Sequence, residues 1–275
     1  MFDTALSTQQ DLPNEKAQSA DLGKDRLRHM IDHKELYPEE TQKTIDQLLK
    51  QVPAGENNPV EYLRKDESLE LWNCTDFNHC APKLPLTLIQ DLTPLSELTQ
   101  LKSLWLHGNN IQDITPLAKL TQLTDLSLSH NRIQDLTPLA YLTCLEELDL
   151  SNNQIQDLIS LAGLTRLEKL WLSINKIQNI KPLAGLTRLK TLHLSGNQIE
   201  DLEPLSGLIH LEWLSLGYNP IKGLTTLADM TQELILIFDT DQIARPDWCI
   251  LPRNIHVHDE YFIEHLIWPP CLKQK

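Results

Sequence analysis

The sequence is poor in the features that mark exported, membrane-spanning or disulfide-rich proteins. Its 275 residues include five cysteines, four phenylalanines and five tyrosines. No apolar run approaches the roughly 20 residues that cross a bilayer. The first residues, MFDTALSTQQ, lack the positively charged and then apolar stretches of a secretory signal. We therefore expect a cytoplasmic protein that makes no contact with a membrane.

Positive charge is also scarce. The chain has 24 Lys and Arg residues against 38 Asp and Glu residues, a net charge of −14, and it contains no basic cluster. Because nucleic-acid-binding proteins concentrate Lys and Arg on one face, this composition excludes a nucleic acid as the partner. The cysteines are free thiols if the compartment is reducing. In an oxidising compartment, Cys74 with Cys80 and Cys249 with Cys271 could pair.

Motifs of catalysis are missing as well. The chain has no Gly-rich phosphate loop, no GxSxG motif and no HExxH motif. Cysteines and histidines lie near residues 74–80 and 249–271, but without the CxxC pair that favours zinc. Asp149, His193 and Ser215 recur at intervals of 22 or 44 residues and so fall in one column of a repeat, yet an open sheet neither excludes water nor shapes an oxyanion site. We expect no enzymatic activity, no cofactor, no metal and no small-molecule substrate.

What the sequence does contain is leucine in a strict period. Segments of 22 residues succeed one another from Leu101, and the first two read LKSLWLHGNNIQDITPLAKLTQ and LTDLSLSHNRIQDLTPLAYLTC. One asparagine recurs in the same place of every unit, without insertion or deletion: Asn109, Asn131, Asn153, Asn175, Asn197 and Asn219. Such a period indicates a protein in which each unit packs against its neighbours. Positions 1–22 of the unit are counted from its first leucine.

Residue type predicts the structure of each part of the unit. The alternating leucines of LxxLxL indicate a short strand with one buried face. The asparagine comes after the strand, where a buried amide can satisfy backbone groups of adjacent turns. Prolines in the second half of the unit indicate a tight turn or a short 3-10 segment. Stacked units therefore predict an α/β fold, a right-handed solenoid with a parallel concave sheet and a 3-10 or irregular convex side.

The unit LxxLxLxxNxIxDIxPLxxLT resembles that of bacterial internalins and similar leucine-rich-repeat proteins over residues 84–243. The resemblance implies a horseshoe that binds a partner protein on its concave face. Regulators of a Ser/Thr phosphatase have a similar unit, so a regulatory subunit of a signalling enzyme is an alternative. An exported effector or adhesin is another.

The two ends of the chain depart from the repeat. Apolar residues at helical spacing predict helices over 21–36 and from Pro38 onward, with a third near 59–65. We divide the chain into a disordered tail (1–20), a helical N-terminal cap (21–83), the leucine-rich repeats (84–243) and a C-terminal cap (244–275). The caps would shield the ends of the leucine core from water.

Two outward positions of the strand vary from unit to unit, although the framework makes no demand there. Position 5 is Trp105, Ser127, Asp149, Trp171, His193 and then Ser215. Position 3 is Ser103, Asp125, Glu147, Lys169, Thr191 and then Trp213. Both sets should face solvent, and tryptophan left in water is typical of interface hot spots. We predict that a protein or peptide binds this surface.

The predicted binding residues form two aromatic groups with acids between them. On strands about 4.8 Å apart, the side chains of Trp171, His193 and Trp213 should lie within about 10–12 Å of one another, bordered by Tyr218. Trp105 and His107 form a second anchor about three strands away. The acids between the two groups are Asp125, Glu147 and Asp149. In the alternative interpretation, Glu147 pairs with Lys169 and the tryptophans merely cover the sheet.

Overall fold

Among the residues that the structure describes, nine strands pair in the order of the chain and form one parallel sheet. A computed structural model describes residues 25–71, 88–238 and 251–259. The predicted tail (1–20) and most of the predicted C-terminal cap (244–275) lie outside the described residues, as do four of the five cysteines. The strands are β1 (Ser68–Glu70), β2 (Ser103–Trp105), β3 (Asp125–Ser127), β4 (Glu147–Asp149), β5 (Lys169–Trp171), β6 (Thr191–His193), β7 (Trp213–Ser215), β8 (Leu234–Phe238) and β9 (Ile255–Asp259).

The register of the sheet matches the 22-residue period. Leu104 pairs with Leu126, and Leu126 pairs with Leu148, so the leucines of successive strands form a continuous column. These side chains are fully or almost fully buried, and the same holds for the leucines of the second half of each unit. Because each buried leucine contributes about 1.5–3 kcal/mol, stacking provides a core that no single unit could form. The predicted solenoid with a parallel sheet is confirmed.

The side of the solenoid opposite the sheet consists of short 3-10 segments. They span Thr93–Glu97, Thr115–Lys119, Thr137–Tyr141, Ile159–Leu161, Lys181–Gly185, Glu203–Leu205 and Thr225–Asp229. Proline stands in the first turn of five of them, as its fixed φ and missing N–H favour. In most units an Asp or Asn at position 13 precedes the segment, and its side chain accepts a hydrogen bond from the backbone N–H two residues later, as Asp113 does from Thr115 at 2.8 Å.

The recurring asparagine joins adjacent coils through its buried amide. Oδ1 of Asn153 accepts a hydrogen bond from the backbone N–H of Ile133 in the preceding coil at 3.0 Å. Its Nδ2 group donates to the carbonyl of Leu150 in its own coil at 3.1 Å and to that of Leu128 at 3.0 Å. The same pattern occurs at the other units, for example at Asn175. The predicted role of the asparagine is confirmed.

From residue 25, where the described structure begins, three helices precede the first strand: α1 (Arg26–Asp32), α2 (Glu39–Lys50) and α3 (Pro59–Lys65). Within the predicted 21–36 segment, helix α1 ends at Asp32 because His33 leaves the helical conformation, and a 3-10 turn over Lys34–Leu36 comes next. Helix α3 begins at a capping Asn58 side chain, with proline at its first position. Buried side chains of all three helices pack in the apolar core.

Candidate functional site

The outward side chains of strands β1–β7, at positions 3 and 5 of the unit, form a surface that we call the open sheet face. The register brings three of its aromatic residues onto adjacent strands, since Trp171 pairs with His193 and Thr191 pairs with Trp213. Alternation along each strand explains this placement, because the intervening leucine points into the core. All three aromatic residues are half-buried.

The three rings stack in a continuous row. The ring centroids of Trp171 and His193 are 6.1 Å apart with an interplanar angle of 18°. The centroids of His193 and Trp213 are 6.2 Å apart with an angle of 29°. The separation of adjacent rings is thus only slightly larger than one strand spacing. Together they present a rigid, mostly apolar ridge across strands β5–β7.

Burial between two indoles changes the chemistry of the ridge. Desolvation lowers the pKa of His193, although the negative charge of Asp149 acts in the opposite direction. The imidazole therefore favours its neutral form, which suits stacking on apolar rings. Nε1 of Trp213 is buried and has no hydrogen-bond partner, so the ridge contains one unsatisfied donor.

A second row of residues, at position 8, lies just after the strands and carries part of the same surface. In all six units this residue has positive φ, and the residues are Gly108, His130, Asn152, Ile174, Gly196 and Tyr218. Backbone N–H groups of this row donate to the carbonyls of the next coil, as that of Ile174 does to Ser195 at 2.8 Å. Neighbouring members of the row are therefore one strand spacing apart.

Ile174 is a surface residue that was not predicted from the sequence. It is 59% exposed, and Tyr218, two coils further on, is 44% exposed. Gly196 lies between them and has no side chain, so the row has a gap in the coil that carries His193. The signal was present in the sequence, because Ile174 stands where the other units have Gly, His, Asn or Tyr.

The three predicted acids differ in their surroundings. Glu147 forms an ion pair with Lys169 at 2.6 Å, as the alternative interpretation held. Asp125 accepts hydrogen bonds from the hydroxyl groups of Thr124, at 2.7 Å, and Ser103, at 3.3 Å. Asp149 accepts one from the backbone N–H of Ser151 at 2.9 Å. In the part of the chain that the structure describes, no lysine or arginine pairs with Asp125 or Asp149.

The second predicted anchor stands apart from the aromatic ridge. Trp105 is in β2, three strands from Trp171, and is half-buried, as is His107. Desolvation lowers the pKa of His107, against the attraction of the Asp149 charge. The same carboxylate thus influences a histidine on each side of it, two coils away in either direction. The structure places Asp149 between the two aromatic groups.

Ser215 corrects the expectation that every position-5 side chain faces solvent. It is 5% exposed, and its hydroxyl group is hydrogen-bonded to that of Ser195 at 2.5 Å. Within the described residues, no hydrogen bond joins Asp149, His193 and Ser215 into a relay. The column that contains these three residues therefore does not have the geometry of a catalytic triad.

The described residues contain no group of three His, Cys, Asp or Glu side chains that could hold a metal ion. His256 instead contacts Glu233 at 2.8 Å, while Cys74, His79, Cys80, Cys249 and Cys271 lie outside the described residues. Among the helices of residues 25–71 and the later described ranges, none has the length and apolar character to span a bilayer.

Comparison with known proteins assigns the class and then the family. A family model for leucine-rich repeats, in two copies, matches residues 121–163 and 165–207. The chain is similar to internalin C2 of Listeria monocytogenes, with 32% identity over 74% of this chain and 79% of that one and a TM-score of 0.58. It is also similar to the Listeria internalin inlF, with 31% identity over 74% of this chain and 59% of that one and a TM-score of 0.56.

The fold and the repeats thus define a leucine-rich-repeat protein. The chain belongs to the internalin-like family of these proteins. Comparison with curated proteins gives no match. The chain spans 59% of the length of inlF, so it corresponds to part of that relative. An internalin-like leucine-rich-repeat fold is that of a protein-interaction module.

Proposed function

We propose that the protein captures a protein or peptide partner on its open sheet face. The stacked ridge of Trp171, His193 and Trp213 carries the proposal, because it is a preformed, half-exposed aromatic surface. Large aromatic side chains held rigid before binding lose little conformational entropy and are typical hot spots. The core of the solenoid does not require them, since the leucines between them already fill it.

The other predicted residues supply the polar part of the same surface. Tyr218 extends the ridge at position 8, and Trp105 with His107 provides a second anchor. Asp125, Glu147 and Asp149 lie between the two groups and give the surface a negative charge. Charges at the edge of an interface contribute mainly to specificity and to the association rate.

A pull-down with tagged protein, read by mass spectrometry, tests the proposal. The double variant Trp171→Ala/Trp213→Ala should lose the captured partner, because truncation of one hot-spot tryptophan costs about 2 kcal/mol or more. Thermal unfolding should change little, since both side chains lie outside the leucine core. Undiminished capture by this variant would refute the proposed site.

A matched control removes apolar surface from the opposite side of the solenoid. Tyr141 and Ile159 belong to the 3-10 segments and are 64% and 65% exposed. The variant Tyr141→Ala/Ile159→Ala should retain the partner at the wild-type level. Loss of the partner in this control and not in the tryptophan variant would place the binding surface on the convex side.

A further inference from the structure

The charge of the open sheet face is strongly one-sided. Its outward positions in β3–β7 carry three carboxylates, those of Asp125, Glu147 and Asp149, but Lys169 is the one lysine or arginine among them. Lys169 is already paired with Glu147. The histidines of this region do not compensate the charge, because burial favours the neutral form of His107 and His193. A partner with complementary charge must therefore bring its own cation.

Asp149 stands beside an aromatic ring whose orientation is known. The register pairs Asp149 of β4 with Trp171 of β5. One face of the Trp171 indole is stacked on His193, which lies on the β6 side. The opposite face of the ring is therefore turned toward β4 and Asp149. Adjacent strands are about 4.8 Å apart, and an aspartate side chain is shorter than a tryptophan side chain. A planar group seated above the Asp149 carboxylate would therefore lie against this face of the indole.

An arginine side chain fits this position better than other side chains do. Its planar guanidinium can stack on an indole and donate paired hydrogen bonds to a carboxylate at the same time. One oxygen of Asp149 already accepts from Ser151, which fixes the orientation of the carboxylate without neutralising its charge. The apolar ridge lies directly beyond the ring, so a hydrophobic residue next to the arginine would pack there.

We propose that the partner presents an arginine, flanked by an apolar residue, and that its guanidinium sits above Asp149 and against the outer face of Trp171. This inference rests on the proposed function and specifies the chemistry of the partner. The arginine forms an ion pair with Asp149 and a cation–π contact with the indole, while the flanking residue contacts the ridge.

A phage-displayed library of random short peptides, selected on the full chain, is the probe. Peptides retained by the wild type should carry arginine next to an aliphatic or aromatic residue. One selected peptide is then synthesised with arginine and with citrulline, its uncharged isostere. The affinity should fall about tenfold with citrulline, and about tenfold for the Asp149→Asn variant, because each change removes one charge-assisted contact.

Non-additivity of the citrulline change and the Asp149→Asn change shows whether the peptide arginine contacts Asp149. If they do, the citrulline peptide should bind Asp149→Asn almost as well as it binds the wild type, since the contact is already lost. Asp229→Asn is the control, because Asp229 is an exposed acid on the 3-10 side and the change in net charge is the same. This control should bind the arginine peptide with wild-type affinity.

The outcomes separate this inference from the proposed function. The proposed arginine contact would be overturned by selection of peptides without arginine, by selection of none, by equal binding by Asp149→Asn, or by additive effects of the two changes. If binding is still lost in Trp171→Ala/Trp213→Ala, the proposed binding site stands without the arginine contact. If the selected peptide binds that double variant as well as it binds the wild type, both proposals fail.

Discussion

At the scale of single residues, the position-8 row shows how the backbone of the repeat overrides side-chain preference. The chain turns after the strand of each of the six repeat units, and it does so with positive φ even where the residue is β-branched. Ile174 has φ of 57°, whereas glycine occupies the equivalent place at Gly108 and Gly196. Left-handed backbone costs a residue with a Cβ atom about 1–2 kcal/mol, so Ile174 is held there by the rest of the coil.

Relief of this strain is measurable. Ile174→Asn should raise the free energy of unfolding by about 1 kcal/mol, because asparagine tolerates positive φ and Asn152 already occupies the equivalent place. Little burial is lost, since Ile174 is 59% exposed. Chemical denaturation is the measurement. The opposite change, Gly196→Ala, should destabilise, since the added Cβ atom would meet Ile174 at 3.4 Å in an unfavourable conformation. If Ile174→Asn did not raise the free energy of unfolding, the proposal of backbone strain at Ile174 would be contradicted.

The sequence predicted which residues share the open sheet face better than it predicted the contacts between them. The strand alternation placed Trp171, His193 and Trp213 on one face, as the structure does. Their stacking depends on rotamers, which the periodicity does not determine. The burial of Ser215 depends in the same way on its contact with Ser195.

At the scale of the element, a three-residue strand is too short to be stable alone and depends on the asparagine behind it. That asparagine connects its own coil to the preceding one through buried hydrogen bonds. Residue type alone predicted this role, because a buried amide at a turn has few other uses. The boundaries of the helices before β1 were less predictable, since they have no repeat to compare. Helix α1 thus ends at Asp32, before the predicted end of the segment.

Removal of one asparagine should therefore weaken the whole solenoid. Asn153→Ala leaves the buried N–H of Ile133 without its acceptor, and the carbonyls of Leu128 and Leu150 each lose one of two amide donors, keeping those of Asn131 and Asn175. We expect a loss of about 2–3 kcal/mol in the free energy of unfolding, measured by chemical denaturation. Asn110→Ala is the control, because Asn110 occupies a variable position and should cost less than about 0.5 kcal/mol. Equal losses of unfolding free energy in the two variants would contradict the stabilising role of the recurring asparagine.

At the scale of the whole molecule, one apolar core runs from the N-terminal helices to the last strand. Leu27 of α1, Leu148 of β4 and Val257 of β9 belong to the same cluster of buried side chains. The period predicted this continuity, because each unit requires only the next one to complete its core. The partner could not be predicted in the same way, since the core makes no demand on the outward residues.

Whether the partner binds the open sheet face or the 3-10 side can be measured on the intact protein. Hydroxyl-radical footprinting, read by mass spectrometry, measures the oxidation of each side chain in the free chain and with the captured partner bound. We expect that oxidation of Trp171 and Trp213 falls when the partner binds, while that of Tyr141 on the 3-10 side stays the same. Protection of Tyr141 with unchanged oxidation of both tryptophans would contradict binding on the open sheet face.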